Sequence, residues 1–242
     1  MKIAIVGAAG RMGRKLIELA AGSELEVISK VDVAEGYEKF WSADVEGVID
    51  FSYHTGVPAF VTKAAEAGLP YVIGTTGITP DEQRAVDAAA KRIPVVQSGN
   101  YSLGVNLLLE LVRKAATVLG PEYDIEVTEM HHRHKKDAPS GTALMLAKSA
   151  AAGRGVSLDE KAVYGRKGDI GERPVGEIAI HALRGGSVVG DHTVMFAGEL
   201  ERVELTHKAQ DRAAFAAGAL KALAWAKGRP AGVYTMRDVL GF

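Results

Sequence analysis

The chain has 242 residues, with 29 Lys and Arg against 30 Asp and Glu, so its net charge of -1 provides no global field to draw nucleic acid or anionic lipid. It contains no cysteine, which excludes disulfides, a thiol nucleophile and cysteine-held metal clusters, and suits a reducing cytoplasm. No run of about 18 apolar residues is uncharged, so no membrane span is expected, and the length predicts two modest domains or one large α/β domain.

Residues 2–6 form a continuous apolar, β-prone run, as expected of a parallel strand covered on both faces. Arg11 breaks the apolar stretch too early for a signal segment. Met12, Leu16, Ile17 and Leu19 then recur at helical spacing. Further strands are predicted at 26–32, 47–51, 71–73 and 94–97, with helices at 57–67 and 80–91, the second opened by Thr79 and Pro80. Strands alternating with helices predict a doubly wound parallel sheet.

After Tyr101 the pattern changes. A long apolar helix at 105–119 precedes an extended segment at 123–130 and a helix at 143–150. Segments 176–183, 187–196 and 202–207 alternate in β fashion, which predicts a second α+β domain with a mixed or antiparallel sheet. Residues 153–174 are rich in glycine and charge and read as a long mobile loop with some local structure. An alanine-rich helix at 212–227 closes the pattern.

The turn after the first strand reads Gly7-Ala8-Ala9-Gly10-Arg11-Met12-Gly13, close to the dinucleotide fingerprint G-x-G-x-x-G, with Ala8 in the first glycine place. Its chemistry needs a tight turn and helix-terminal amides facing a pyrophosphate. Asp32, at the spacing expected of a ribose-binding acid, would repel a 2′-phosphate, and Val33 and Ala34 add no adjacent cation. That leans toward NADH, although Arg11 and Lys30 soften the repulsion and leave NADPH open. A glycine turn without a ligand is the alternative. Gly74-Thr75-Thr76-Gly77 and Ser98-Gly99-Asn100-Tyr101 follow two later strands and stand where open α/β sheets bind ligands, or are ordinary connecting turns.

The stretch HHRHKKDAPSGTA, residues 131–143, concentrates titratable and cationic groups. A metal is disfavoured, because strand alternation puts His132 and His134 opposite His131, and Arg133, Lys135 and Lys136 repel a dication. A solvated basic loop is one reading. The other is a pocket for a compact dicarboxylate, with the Ser140-Gly141-Thr142 helix start as a second anion cradle and a histidine able to donate a proton near neutral pH.

GAAGRMG, VIDFS, GTTG, GNYSLGVN and above all EMHHRHKKDAPSGTA together resemble the dihydrodipicolinate reductases of bacterial lysine biosynthesis, and the likeness runs on through GDHTVMF, ELTHKAQDR and YTMRDVL. It implies a Rossmann-like domain at 1–101 and 212–242, a substrate-binding and oligomerisation domain at 102–211, and a homotetramer. The implied reaction is NAD(P)H-dependent reduction of a cyclic dicarboxylate by two closing domains. By motif position the proton donor falls on His131 and the second catalytic residue on Lys135, with His132, Gly141 and Thr142 on the substrate. The cofactor would meet Gly7, Ala8, Ala9, Gly10, Arg11 and Met12, then Asp32, then Gly74, Thr75 and Thr76, and finally Ser98, Gly99, Asn100 and Tyr101. Two departures lie at the adenosine end: a short stretch at 33–46, and Tyr53-His54 where the family often has Arg-Pro. A reductase of a semialdehyde or imine, and a nucleotide-sensing regulator without turnover, are the other functions such a chain can have.

Overall fold

In the computed structural model, which describes residues 1–32 and 41–242, the opening apolar run forms β1 (Lys2–Val6). Its side chains alternate between two cores: Ile3 and Ile5 pack with Leu16 and Leu223, whereas Ala4 and Val6 pack with Phe60 and Tyr71. That two-sided burial is why no polar residue interrupts the run. The strands β2 (Glu26–Val31), β3 (Gly47–Asp50), β4 (Tyr71–Ile73) and β5 (Pro94–Gln97) join it. With a closing strand β11 (Gly232–Tyr234) they make a six-stranded parallel sheet of order β11-β5-β4-β3-β1-β2.

Helices α1 (Arg11–Ala20), α7 (Ala213–Ala226) and α8 (Met236–Leu240) supply one core, and α2 (Val57–Ala67) and α3 (Pro80–Ala89) the other. The α3 start carries a full capping box, in which Glu82 accepts the Thr79 N–H and the Thr79 hydroxyl accepts the Glu82 N–H. Within α7, a Cβ on Gly218 would fall 1.7 Å from the Tyr101 carbonyl oxygen, so the helix lies against that turn only because the side chain is absent. The closing β11 and α8 are too short for a periodic signal and were not expected. Val33 and Ala34 lie outside the described residues.

The chain divides into two compact units, Met1–Leu103 with Arg212–Phe242, and Gly104–Asp211. The second is built from α4 (Leu103–Leu119), β6 (Asp124–His131), α5 (Gly141–Arg154), α6 (Leu158–Lys161), β7 (Ala162–Tyr164), β8 (Ile178–Arg184), β9 (Gly190–Ala197) and β10 (Arg202–Ala209). Its sheet is mixed, with order β10-β9-β6-β8-β7: β6, β8 and β7 are parallel, while β9 runs against both β6 and β10. Ile125 and Val127 of β6 face a core shared with Val112, Leu146, Ile180 and Phe196.

The glycine-rich segment at 153–174 contains α6 and β7 and is pinned rather than loose. Arg166 joins Glu126 and Glu177, and Arg173 joins Glu126 and Asp124 while donating to three backbone carbonyls. Burial alone would raise the Glu126 pKa, but the hydrogen bonds from Arg166, His181 and Arg173 outweigh it and bring the value down to about 2. Among the described residues no helix is long and apolar enough to cross a membrane.

Candidate functional site

Each unit carries a cluster of functional groups at the carboxyl ends of its strands. In the first, Gly7 takes φ +80° directly after β1, and its N–H and that of Ala8 donate to the Val31 carbonyl. A Cβ on Gly7 would lie 2.4 Å from the Phe51 carbonyl oxygen, and one on Gly13 would lie 2.2 Å from the Gly7 carbonyl oxygen. The glycines are therefore required by close backbone approach, the condition the fingerprint demands. Gly10 is the N-cap of α1 without a side-chain cap, so the first-turn amides of Arg11 and Met12 face outward from the turn. Asp32, just past β2, accepts the Ala9 N–H at 2.5 Å and so stands over this turn.

Beside it, Asp50 at the end of β3 is fully buried. Burial raises its pKa, and it is satisfied by the Ser52 N–H at 2.8 Å, the Tyr71 hydroxyl at 2.6 Å and the Thr75 hydroxyl at 3.1 Å. Through Asp50 the turn holding Gly74, Thr75 and Thr76 is tied to the turn after β3. Gly74 has its own constraint, since a Cβ there would overlap the Phe51 ring at 2.2 Å. In the turn after β5, Ser98 donates to the Asn100 carbonyl, Gly99 lies between them, and Tyr101 is buried. Its hydroxyl donates to the Ile73 and Val96 carbonyls at 2.7 and 2.9 Å, joining the ends of β4 and β5. The first unit thus offers a glycine cradle, a carboxylate above it and two adjacent strand-end turns, a set that fits a dinucleotide.

In the second unit, the alternation that buries Ile125 and Val127 also brings Glu129 and His131 to the helix-covered face at the end of β6. Glu129 is 1% exposed and receives four donors or partners: His131 Nδ1 at 2.6 Å, both Arg184 amino groups at 2.9 Å, and the Ser140 N–H at 3.0 Å. Burial by itself would raise its pKa; Arg184, His131 and the Ser140 amide outweigh that and lower it. Because Nδ1 of His131 is held by the carboxylate, Nε2 is the ring atom left for chemistry. A Cβ on Gly190 would lie 3.0 Å from that Nε2, so glycine keeps the flank clear.

His192, opposite Glu129 on β9, lies edge-on to His131 at 5.2 Å between ring centroids. Its Nε2 is 3.0 Å from the Ser140 hydroxyl, which also caps α5 by accepting the Ala143 N–H. Burial, reinforced by the neighbouring His131, lowers His192 to about 4, so it is neutral at neutral pH.

β6 ends at His131, and the cationic block continues as a turn: the His132 N–H donates to the Val188 carbonyl, and the Lys135 N–H to that of His132. The Lys135 ammonium sits 2.9 Å from Asp137. The helix starts at Gly141, two residues before the position expected from its apolar pattern, because Ser140 caps it; Gly141 and Thr142 therefore form its first turn. His131, Lys135, His132, Gly141 and Thr142 are thus all borne by one strand end, one turn and one helix start. Among the described residues no group of His, Asp or Glu is arranged to hold a metal. Glu129, Arg184, Gly190 and His192 went unread in the sequence, although Glu129 was signalled by its place two residues before His131 on a strand.

Residues 1–101 match the family model described as "Dihydrodipicolinate reductase, N-terminus", and residues 104–240 the one described as "Dihydrodipicolinate reductase, C-terminus". The chain is 46% identical over 264 residues to a 4-hydroxy-tetrahydrodipicolinate reductase of Methylocella silvestris, covering 100% of this chain and 97% of that protein. It is 45% identical over 268 residues to that of Anaeromyxobacter dehalogenans, covering 99% and 97%. The dipicolinate-bound dihydrodipicolinate reductase from Paenisporosarcina sp. TG-14 shares the fold, with a TM-score of 0.77 at 22% identity over 98% of both chains.

Proposed function

The chain belongs to the dihydrodipicolinate reductase family, and on that premise we propose that it reduces 4-hydroxy-tetrahydrodipicolinate to tetrahydrodipicolinate, on the diaminopimelate route to lysine, with one hydride and one proton added and the 4-hydroxyl lost as water. The observation that carries the roles is the buried Glu129–His131 contact at the head of a cationic turn. A carboxylate on Nδ1 fixes the ring and leaves Nε2 as the atom through which the imidazole exchanges a proton. His131 is accordingly the acid that protonates the reduced ring, and Glu129 its positioning residue. Lys135 stabilises the charge that develops as the ring is reduced. His132 and the first-turn amides of Gly141 and Thr142 hold the two substrate carboxylates, helped by the positive end of α5.

When bound, NADH or NADPH supplies the hydride. Its pyrophosphate is assigned to Gly7, Ala8, Ala9, Gly10, Arg11 and Met12, its adenosine ribose to Asp32, and its nicotinamide half to the turns of Gly74, Thr75 and Thr76 and of Ser98, Gly99, Asn100 and Tyr101. The carboxylate above the cradle favours NADH. A reducing cytoplasm is the setting this reading implies.

The test is an assay in which the unstable precursor is generated enzymically and nicotinamide oxidation is followed by absorbance. Turnover is expected with both cofactors, with a lower KM for NADH. A reproducible preference for NADPH of about tenfold, equivalent to about 1.4 kcal/mol, would refute the Asp32 assignment. Turnover of a semialdehyde or imine instead, or NADH binding without any turnover, would refute the reaction.

A homotetramer built through the second unit accounts for a further feature. Thr128 and Met130 of β6 and Thr193 and Met195 of β9 are only half-buried on the sheet face opposite the core, and β10 is an edge strand. Light scattering is expected to give four times the chain mass of 25.6 kDa; a monomer at micromolar concentration would contradict it.

A further inference from the structure

We propose that the Tyr53 ring is the platform on which the adenine of the dinucleotide stacks. This rests on the cofactor assignment above and deepens it. The segment bearing Tyr53 touches the glycine cradle: a Cβ on Gly7 would lie 2.4 Å from the Phe51 carbonyl oxygen and 3.0 Å from Ser52 Cα. With the pyrophosphate on the cradle and the ribose on Asp32, the base projects over the strand ends beside that turn and needs an apolar surface.

The neighbouring aromatics are otherwise engaged. Phe51 and Tyr101 pack edge-to-face at 5.9 Å, with Phe51 over Gly74 and the Tyr101 hydroxyl on two carbonyls. Tyr53, in contrast, is 62% exposed. It is nevertheless braced. The His54 ring lies 4.6 Å from it, tilted by 41°, and His54 Nδ1 is held by both Glu82 oxygens at 2.8 and 3.0 Å. Glu82 belongs in turn to the capping box that opens α3. A chain of contacts ending on a helix therefore supports the ring while much of its surface stays open, the arrangement of a preorganised stacking surface. A purine suits it, because the platform offers a π face and no fixed charge. Tyr53-His54 also stands where the resemblance places Arg-Pro in many members.

Titration by calorimetry or fluorescence tests the assignment. Tyr53→Ala is expected to weaken binding of NADH and of 5′-AMP about 5- to 30-fold, leaving reduced nicotinamide mononucleotide, which lacks adenosine, within about twofold. Tyr53→Phe restores the affinity. An unchanged affinity for 5′-AMP, or an equal loss for the mononucleotide, would overturn the proposal. Should the alanine variant fold poorly, Tyr53→Trp provides a separate readout: 5′-AMP quenches the introduced indole if the base stacks there, and absence of quenching overturns it. Turnover at saturating NADH, measured alongside, keeps the two readings apart. A Tyr53→Ala protein with unaltered nucleotide binding and full turnover removes the stacking role and leaves the reaction intact.

Discussion

His131→Ala is expected to lower kcat by about 100- to 1,000-fold, the range for loss of a positioned general acid, and to leave the Kd for NADH unchanged. The size follows from the lack of a substitute. His192 is the other imidazole at the site, but its pKa of about 4 leaves almost none of it protonated at pH 7. Ser140 already donates or accepts on His192 and the α5 cap. Lys135→Ala, which removes a preorganised cation worth roughly 3 kcal/mol to the transition state, is expected to cost about 100-fold. The two losses should be far from additive, since donor and cation serve one step. NADH affinity is spared because the glycine cradle is made by residues of the other unit. Steady-state kinetics with a direct NADH titration checks this, and full activity in both variants would remove the roles assigned to them.

What could be read from the sequence divides by distance along the chain. The parallel strands were legible because two-sided burial produces apolar runs such as Ile3 to Val6, and α2 was legible at 57–67, where the structure ends it on Gly68 at φ +69°. The cationic turn was legible because its groups are contiguous. The machinery behind His131 was not: Arg184 lies 55 residues from Glu129, and His192 lies 52 residues from Ser140. These partners meet only through the register of β8 and β9 on β6, where Glu129 stands opposite Ala182 and His192. A mixed sheet has more than one permissible strand order, so no local pattern reports such pairings. Likewise β11 has three residues and exists by pairing with β5, not by any preference of its own. The arginine clip on Glu126 is a third case, in which a segment that looks like a loop by composition is ordered by charges brought from the sheet.

Glu129→Ala is expected to be among the most destabilising single substitutions in the second unit. The carboxylate is 1% exposed and neutralises Arg184 through two 2.9 Å contacts while accepting the Ser140 amide and holding His131. Truncation leaves a partly buried guanidinium and an amide without their partner, a loss of about 3–5 kcal/mol for one side of a buried pair, corresponding to a fall in Tm of about 10 °C in a chain this size. The pH dependence has a definite sign. Because the folded pKa of Glu129 is lowered from 4.5, its contribution to stability is fully present above that unfolded value and is lost as pH falls through the folded one. The stability gap between wild type and Glu129→Ala should therefore be constant from pH 6 to 8 and close in acid. Glu129→Gln separates structure from chemistry. It retains the volume and one acceptor oxygen for Arg184, yet removes the carboxylate that holds His131 Nδ1. Its kcat should fall by about 10-fold or more while most of the Tm is kept, because the His131 ring is held less firmly without emptying the site. A Glu129→Ala protein melting within about 2 °C of wild type at pH 7, less than the shift expected for 1 kcal/mol, would show that the carboxylate does not hold this corner together.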